Sequence, residues 1–426
     1  MGRLSGGCMR LFYWGVLVVV LIGLAAPLAA ETEFSFDGQV RVRGEADKKT
    51  LDPDSEWFAF VDMRTRLGVL AAINDNTSAY IQLQDSRRMG GRDGDGQLTS
   101  GTLNNGDNVD VHQAFLRVNH LWNEGPGMRA GRFEVNLGNQ RVFGSVGWSN
   151  VGRAWEGVEA WHAFDRFTVR ALYLWLLEAG ASNRDFYLGG FNVELPRLGA
   201  EVFTVYERDA RPSEHPLAQQ HFTRLDRISS GVYVHRTYDA FDLTLNGVYQ
   251  FGSTHNMYAM DIPELDISAF LITAEAGYSI ESAATPRVAI GIDYASGDDD
   301  LDDDTFSAYN NLYYTGHKFR GYMDYFIGSD PRGLMDVMVR GSLNPVDGWM
   351  IKADLHYFQT AAEYPVSIDE TSKDVGTELD VTVSTSRVSG LDIAAGCSAF
   401  FPADSYSGYD DPDTGLWGYL MMTANF

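Results

Sequence analysis

"GLWGYLMMTANF", Gly415 to Phe426, is the stretch on which the fold turns. Read with period two, Leu416, Leu420, Met422, Ala424 and Phe426 fall on one face, and the chain stops on the aromatic ring. Period two is the repeat of an extended strand, whose successive side chains point to opposite faces. A chance Phe at the end of a secreted chain would not explain the alternation in front of it.

The same alternation recurs upstream, in segments near the 9 to 11 residues that a tilted strand needs to cross a bilayer. In "GQVRVRGE" (Gly38 to Glu45), Val40 and Val42 oppose Gln39, Arg41 and Arg43. In "VDMRTRLGVL", Asp62, Arg64 and Arg66 oppose Val61, Met63 and Leu67. In "MIKADLHYF", Ile351, Ala353, Leu355 and Tyr357 oppose Lys352, Asp354, His356 and Phe358. A soluble β-sandwich alternates too, with its polar face outward.

The connections separate these cases. Short links at Ile73–Ser78, Ala163–Phe167, Leu195–Gly199, Ser282–Arg287, Leu343–Gly348 and Arg387–Gly390 alternate with long polar ones at Asp85–Asn108, Val135–Gly152, Arg208–Gln220, Gly297–Pro331 and Pro402–Thr414. Short turns at one end and long loops at the other predict an all-β fold, a transmembrane antiparallel β-barrel with periplasmic turns and extracellular loops. Counting between links gives about 18 strands, with both termini on the short-turn side. Gly415–Phe426 then looks like the closing strand of a bacterial outer-membrane barrel, which the barrel assembly machinery engages. Aromatic residues at strand ends (Trp57 and Phe58, Tyr173 and Trp175, Tyr313 and Tyr314) are expected in the two interfacial girdles.

Export fits the start of the chain. Arg3 and Arg10, an apolar run from Leu11 to Leu24 and the small-residue stretch ending at Ala30 read as a cleaved signal peptide, residues 1–30, leaving one barrel domain over 31–426. The mature chain holds one cysteine, Cys397, so no intramolecular disulfide forms. Its 31 basic and 58 acidic residues give a formal charge of −27, which excludes nucleic acid as a natural partner. Lipid and lipopolysaccharide of the outer membrane are the partners expected instead.

Motifs for catalysis are missing. "GRFEVNLGNQRVFGSVGWSN", Gly131 to Asn150, collects glycines without GxGxxG or a Gly-Lys-Ser ending, and no helical repeat follows it. No GxSxG, HExxH or Cys cluster occurs, so the chain reads as a non-enzyme; a membrane-embedded hydrolase ranks below any channel. "SGDDDLDDDT", Ser296 to Thr305, offers Asp298, Asp300, Asp302 and Asp304 as a weak calcium site on an outer loop, but its spacing fits no defined calcium loop. A solvated acidic loop is the favoured reading, and no other cofactor is expected.

Charges in the strands point inward by energy. An arginine or lysine facing lipid at mid-membrane costs about 2–4 kcal/mol. Arg41, Arg43, Arg64, Arg66, Arg117, Arg132, Arg170, Arg340 and Lys352 are therefore expected to line the lumen, with Asp62, Glu134, Asp293, Asp354 and Glu378 as acidic partners on neighbouring strands. Paired, they stiffen the barrel; unpaired, they attract an anionic solute.

"AGRFEVNLGNQRVFGSVGWSNVGRAWEGVEA", "AIGIDYASGDDD" with "TGHKFRGYMDYF", and "DVGTELDVTVSTSRVSGLDIAAGCSAFFP", in this order, resemble the alginate-export family of outer-membrane porins. The resemblance implies a monomeric 18-strand barrel whose arginine-lined channel exports an acidic polysaccharide. It makes Arg132 and Arg141 lumen cations, Glu134 their partner, and Trp148 and Asn150 shapers of the loop. His317, Lys318 and Asp324 would lie in an outer-loop element near the mouth. The Gly-rich loop Gly90–Asn108 is the expected constriction, and Arg141 the expected selectivity residue. The alternative within the fold is a general or uptake porin for small anions or other small solutes.

Overall fold

The computed structural model describes residues 32–89, 109–177, 186–210, 225–255, 264–300, 302–367, 370–406, 409 and 412–426. The leader expected at residues 1–30 and the loop Gly90–Asn108 lie outside the described residues. The strands are β1 (Glu33–Lys48), β2 (Phe58–Ala72), β3 (Thr77–Arg88), β4 (Asp110–Val118), β5 (Gly127–Phe133) and β6 (Trp155–Ala163). They continue with β7 (Thr168–Leu177), β8 (Phe186–Leu195), β9 (Ala200–Asp209), β10 (Leu225–Tyr238), β11 (Phe241–His255), β12 (Glu264–Ser279) and β13 (Arg287–Ala295). The two-residue β14 (Thr305–Phe306) lies in a loop, and β15 (Leu334–Leu343), β16 (Trp349–Ser367), β17 (Glu370–Val388), β18 (Leu391–Pro402) and β19 (Gly415–Asn425) complete the wall.

Leaving out β14, each strand pairs antiparallel with its neighbours in sequence, and β1 pairs with β19 from Gln39↔Asn425 to Lys48↔Leu416. The result is a closed barrel of 18 strands, the number expected from the links. Closure removes the sheet edges, whose unpaired N–H and C=O groups would be costly in lipid. The terminal residue helps to seal it: Gly38 and Phe426 exchange backbone hydrogen bonds at 2.7 and 3.0 Å. Leu416, Leu420, Met422 and Phe426 are exposed on the outer face, while Trp417, between them, is buried inside.

The interior departs from simple alternation. Leu172, Leu174, Leu188, Phe203, Val205, Val248 and Leu271 point inward and are buried, although the opposite faces of their strands are apolar too. What covers them is chain folded in from the long-loop side. Residues 134–154, between β5 and β6, contribute Val135, Leu137, Val142 and Phe143 to this inner core, and Tyr309 comes from residues 296–333, between β13 and β15. A second inner cluster joins Met323 of that loop to Phe358, Val375, Phe400 and Trp417 of the wall. Each fully buried side chain of this kind contributes on the order of 1.5–3 kcal/mol, so the infolded loops carry cores of their own. Tyr313 and Tyr314 belong to this loop and pack inside, which corrects their assignment to a girdle. Tyr173, stacked on Tyr187 and edge-on to Trp175, lies on the outer face.

Candidate functional site

The two infolded loops meet across the lumen. Val142 and Phe143 run beside Tyr313 as a short parallel bridge: Tyr313 N–H donates to Val142 O at 3.0 Å, Gly144 N–H to Tyr313 O at 3.0 Å, and Thr315 N–H to Gln140 O at 3.1 Å. Arg153 adds its guanidinium to Tyr313 O at 2.5 Å. Trp148 then closes the remaining gap. Its indole stacks on His317 with centroids 4.0 Å apart, carries the Arg43 guanidinium 4.0 Å from its centroid, and meets Tyr419 edge-on at 5.0 Å. His317 in turn bonds Asp324 at 3.0 Å and lies 5.2 Å from the Tyr322 ring. The element expected near the mouth is therefore half of the constriction itself.

Each loop is latched to the wall through backbone groups. Arg41 donates to Gly147 O, Ser149 O and Asn150 Oδ1, and Arg64 to Gly147 O, Ser149 O and Gln39 Oε1. Arg43 pairs with Glu45 at 2.7 Å and donates to Trp148 O. Arg66 reaches Gln84 and Glu134, and Glu134 also accepts from the His112 ring Nε2–H at 2.8 Å. On β17, three strands round the wall from β1, Glu378 accepts from Met323 N–H at 2.8 Å and Asp380 from Tyr322 N–H at 3.2 Å. Glu378 has no cationic partner among the described residues, which corrects its place among the arginine partners. Asp62 pairs with Arg88, and Asp354 lies 3.8 Å from Arg340, which also bonds Glu275.

Two cation expectations change. Arg132 faces outward, beside Glu156 at 3.2 Å, because its strand neighbour Phe133 pairs with Trp155 and both fill the inner core. The residue of β5 that enters the lumen is Arg129, bonded to Glu159 at 2.6 Å. Arg141 is buried, ion-paired with Asp293 and stacked on Phe319 at 3.8 Å, so it ties the loops to β13 instead of facing a solute. Arg170 pairs with Glu159 and Glu194, and Arg117 lies over the Trp161 ring.

Lys352 differs: it is exposed at the inward register of β16 and has no partner among the described residues. Lys318, whose ammonium donates to Asn139 O, feels Lys352, Arg141 and Arg340; burial first, then these charges, hold it below the usual lysine range. Lys318, Arg340 and Glu275 line a cavity of about 280 Å³ beneath the constriction. Above it, Arg43, Asp62, Trp148, His317 and Asp324 line one of about 470 Å³. A wider space of about 640 Å³ opens at the periplasmic turns, beside Trp349, Thr385 and Thr423. The outer-loop aspartates do not converge. Asp300 accepts from Asp302 N–H and Asp303 from Thr305 N–H, and among the described residues Asp298, Asp300, Asp302 and Asp304 form no set that could hold a metal ion.

A polar-and-aromatic constriction in a closed 18-strand barrel is channel architecture, and the family model described as alginate export matches residues 32–414. The chain belongs to the alginate export family. Family and fold are those of outer-membrane channels, and the barrel is a multi-pass protein of the outer membrane. Solved structures similar to it include OccAB1 of Acinetobacter baumannii, 12% identical over 92% of this chain and 96% of that one, with a TM-score of 0.60. Pseudomonas aeruginosa OccK8 (OprE) is 12% identical over 92% and 98%, with a TM-score of 0.56. OccK2 (OpdF) of the same organism, solved in complex with glucuronate, is 11% identical over 92% and 96%, with a TM-score of 0.57. No curated protein matches the sequence.

Sequence reading missed the role of residues 296–333. A signal was present: Tyr309, Tyr313, Tyr314, Phe319, Tyr322, Tyr325 and Phe326 are too many rings for a solvated loop. Arg320 and Arg153 were also passed over, because residues in a loop carry no alternation to orient them.

Proposed function

We propose that this channel passes acidic saccharides, and that its natural cargo is an exported polyuronate of the alginate type. The observation that carries the reading is the pair Lys352 and Lys318 on the periplasmic side of the constriction, neither held by a carboxylate among the described residues. Elsewhere the lumen arginines answer wall acids or loop carbonyls, apart from Arg117, which bonds the Asn119 side-chain amide and lies over Trp161. A polyuronate offers one carboxylate per sugar, and passage requires contacts that are favourable but weak and repeated. An ammonium, compact and mobile, suits exchange of successive carboxylates better than a bidentate guanidinium lock.

The Trp148–His317 stack lines the upper cavity where the two loops meet, and on this reading a chain passes when the stack parts. A second reading, uptake of small uronates, draws on the glucuronate bound to OccK2 and on the small size of the cavities. Purified barrel in a planar bilayer distinguishes them. Anion-selective current blocked by oligomannuronate added on the periplasmic side, and not by neutral maltooligosaccharide, is expected for export. Cation selectivity with no oligouronate block would overturn both readings, and block by monomeric glucuronate alone would favour uptake.

A further inference from the structure

A buried arginine outside the conduit has donors to spare. Arg320, 3% exposed, reaches Asp293 only through Nε and at 3.4 Å, while Arg141 takes the same carboxylate oxygen more closely. The terminal Nη groups of Arg320 have no hydrogen-bond partner among the described residues. Tyr309, 2% exposed, carries a buried hydroxyl that also has none. Both side chains line one cavity of about 130 Å³, shared with Asn311, Ser329, Arg332 and Thr360 behind the 296–333 loop.

Asp293 and Asp336 are each engaged through one oxygen, and none of the neighbouring carboxylates reaches the Arg320 Nη groups. Asp293 serves two guanidiniums, and Asp336, opposite it in register, is held by His356 at 2.8 Å. Asp330, at the cavity's edge, is taken by Arg332 through bonds of 2.9 and 2.6 Å. A buried charged donor left unmet is costly, and more so than a neutral one. The space exceeds what one water needs, and Arg320 and Tyr309 both bring unused donors to it.

We propose that this cavity seats a compact monoanion, a halide or a small carboxylate, held by the Arg320 guanidinium and the Tyr309 hydroxyl. The site is separate from the cargo path: Trp148, Lys318 and Lys352 do not line it. Its occupant completes the packing of the 296–333 loop against β13, β15 and β16. Ambient anions thereby stabilise one half of the constriction.

The test follows unfolding of the intact barrel in detergent, by heat-modifiable gel migration, in chloride, acetate and lactobionate salts at matched ionic strength. The midpoint is expected to rise saturably with chloride or acetate and to stay flat with lactobionate, a sugar acid too large for the cavity. Tyr309→Phe should raise the half-saturating concentration about tenfold, the effect of one hydrogen bond to a charged group. Arg320→Met should abolish the response. If Arg320→Met does not assemble, Tyr309→Phe and bromide-soaked crystals carry the test, with an anomalous peak expected beside Arg320. Equal midpoints in all three salts, an unchanged Tyr309→Phe response, or no bromide peak would each overturn the proposal.

Discussion

Replacing Trp148 with Ala removes the piece that joins the wall and both loops. Its ring contacts with His317, Tyr419 and Trp417 are each worth about 1 kcal/mol, and the Arg43 guanidinium over its face contributes about 1 more. The resulting 4 kcal/mol, roughly, is an upper figure, because Trp148 is half-buried and full removal of a buried Trp costs about 3–5 kcal/mol. Because each 1.4 kcal/mol is a factor of ten, the docked arrangement of the loops should lose up to about a thousandfold in its equilibrium against the parted one. The barrel wall should survive, since its ladder bonds do not pass through this residue. Hydrogen exchange reads the effect directly. The amides of Gly144, Tyr313 and Thr315, which bridge the loops, should exchange faster by up to that factor, while those of β10 and β11 hold. Single-channel records should show openings to a higher conductance. Unchanged exchange at those three amides would refute the view that Trp148 holds the constriction shut.

Three further changes test separate parts of the assembly. Arg141→Met should cost about 3 kcal/mol of loop docking, the low end for breaking a buried ion pair because Arg320 stays beside Asp293. Limited proteolysis of the loop should quicken while the anion-to-cation permeability ratio, read from reversal potentials, moves by less than about twofold; a larger change would mean that Arg141 faces the solute. Lys352→Glu should do the reverse, shifting reversal potential toward cations with no loss of heat-modifiable migration, and an unmoved potential would remove Lys352 from the path. Gly321 has φ +76°, and a Cβ there would press on the Glu378 carboxylate, so Gly321→Ala should cost about 1–3 kcal/mol locally and expose the Met323 amide to exchange. Retained protection of that amide would show that the latch on Glu378 is dispensable.

Much of the site was legible only in outline. Arg41, Arg43, Arg64 and Arg66 could be placed inside because lipid excludes them from the other face, and the structure puts them there. β5 shows where that logic stops. "GMRAGRF" carries Arg129 and Arg132 at opposite parities, so only one can face the lumen, and the choice is made by Phe133, which pairs in register with Trp155, meets Phe115 edge-on and is buried in the inner core. The continuous apolar run "RALYLWLL" likewise signals a strand covered on both faces, but not by what.

The sequence by itself determined the barrel. Strand periodicity is a local property, repeated every few residues, and the bilayer turns it into an all-or-nothing demand for closure, so 18 strands and the inward arginines of β1 and β2 follow from reading along the chain. Tertiary structure decided which loops fold inward, that Arg141 is neutralised by Asp293, 152 residues away, and that Trp148 meets His317. Those contacts join segments far apart in the chain, and loop residues have no period to announce which face they turn to. Lys352 and Lys318, which no carboxylate holds among the described residues, and the buried Arg320 emerge only when every neighbouring acid has been assigned to its own partner.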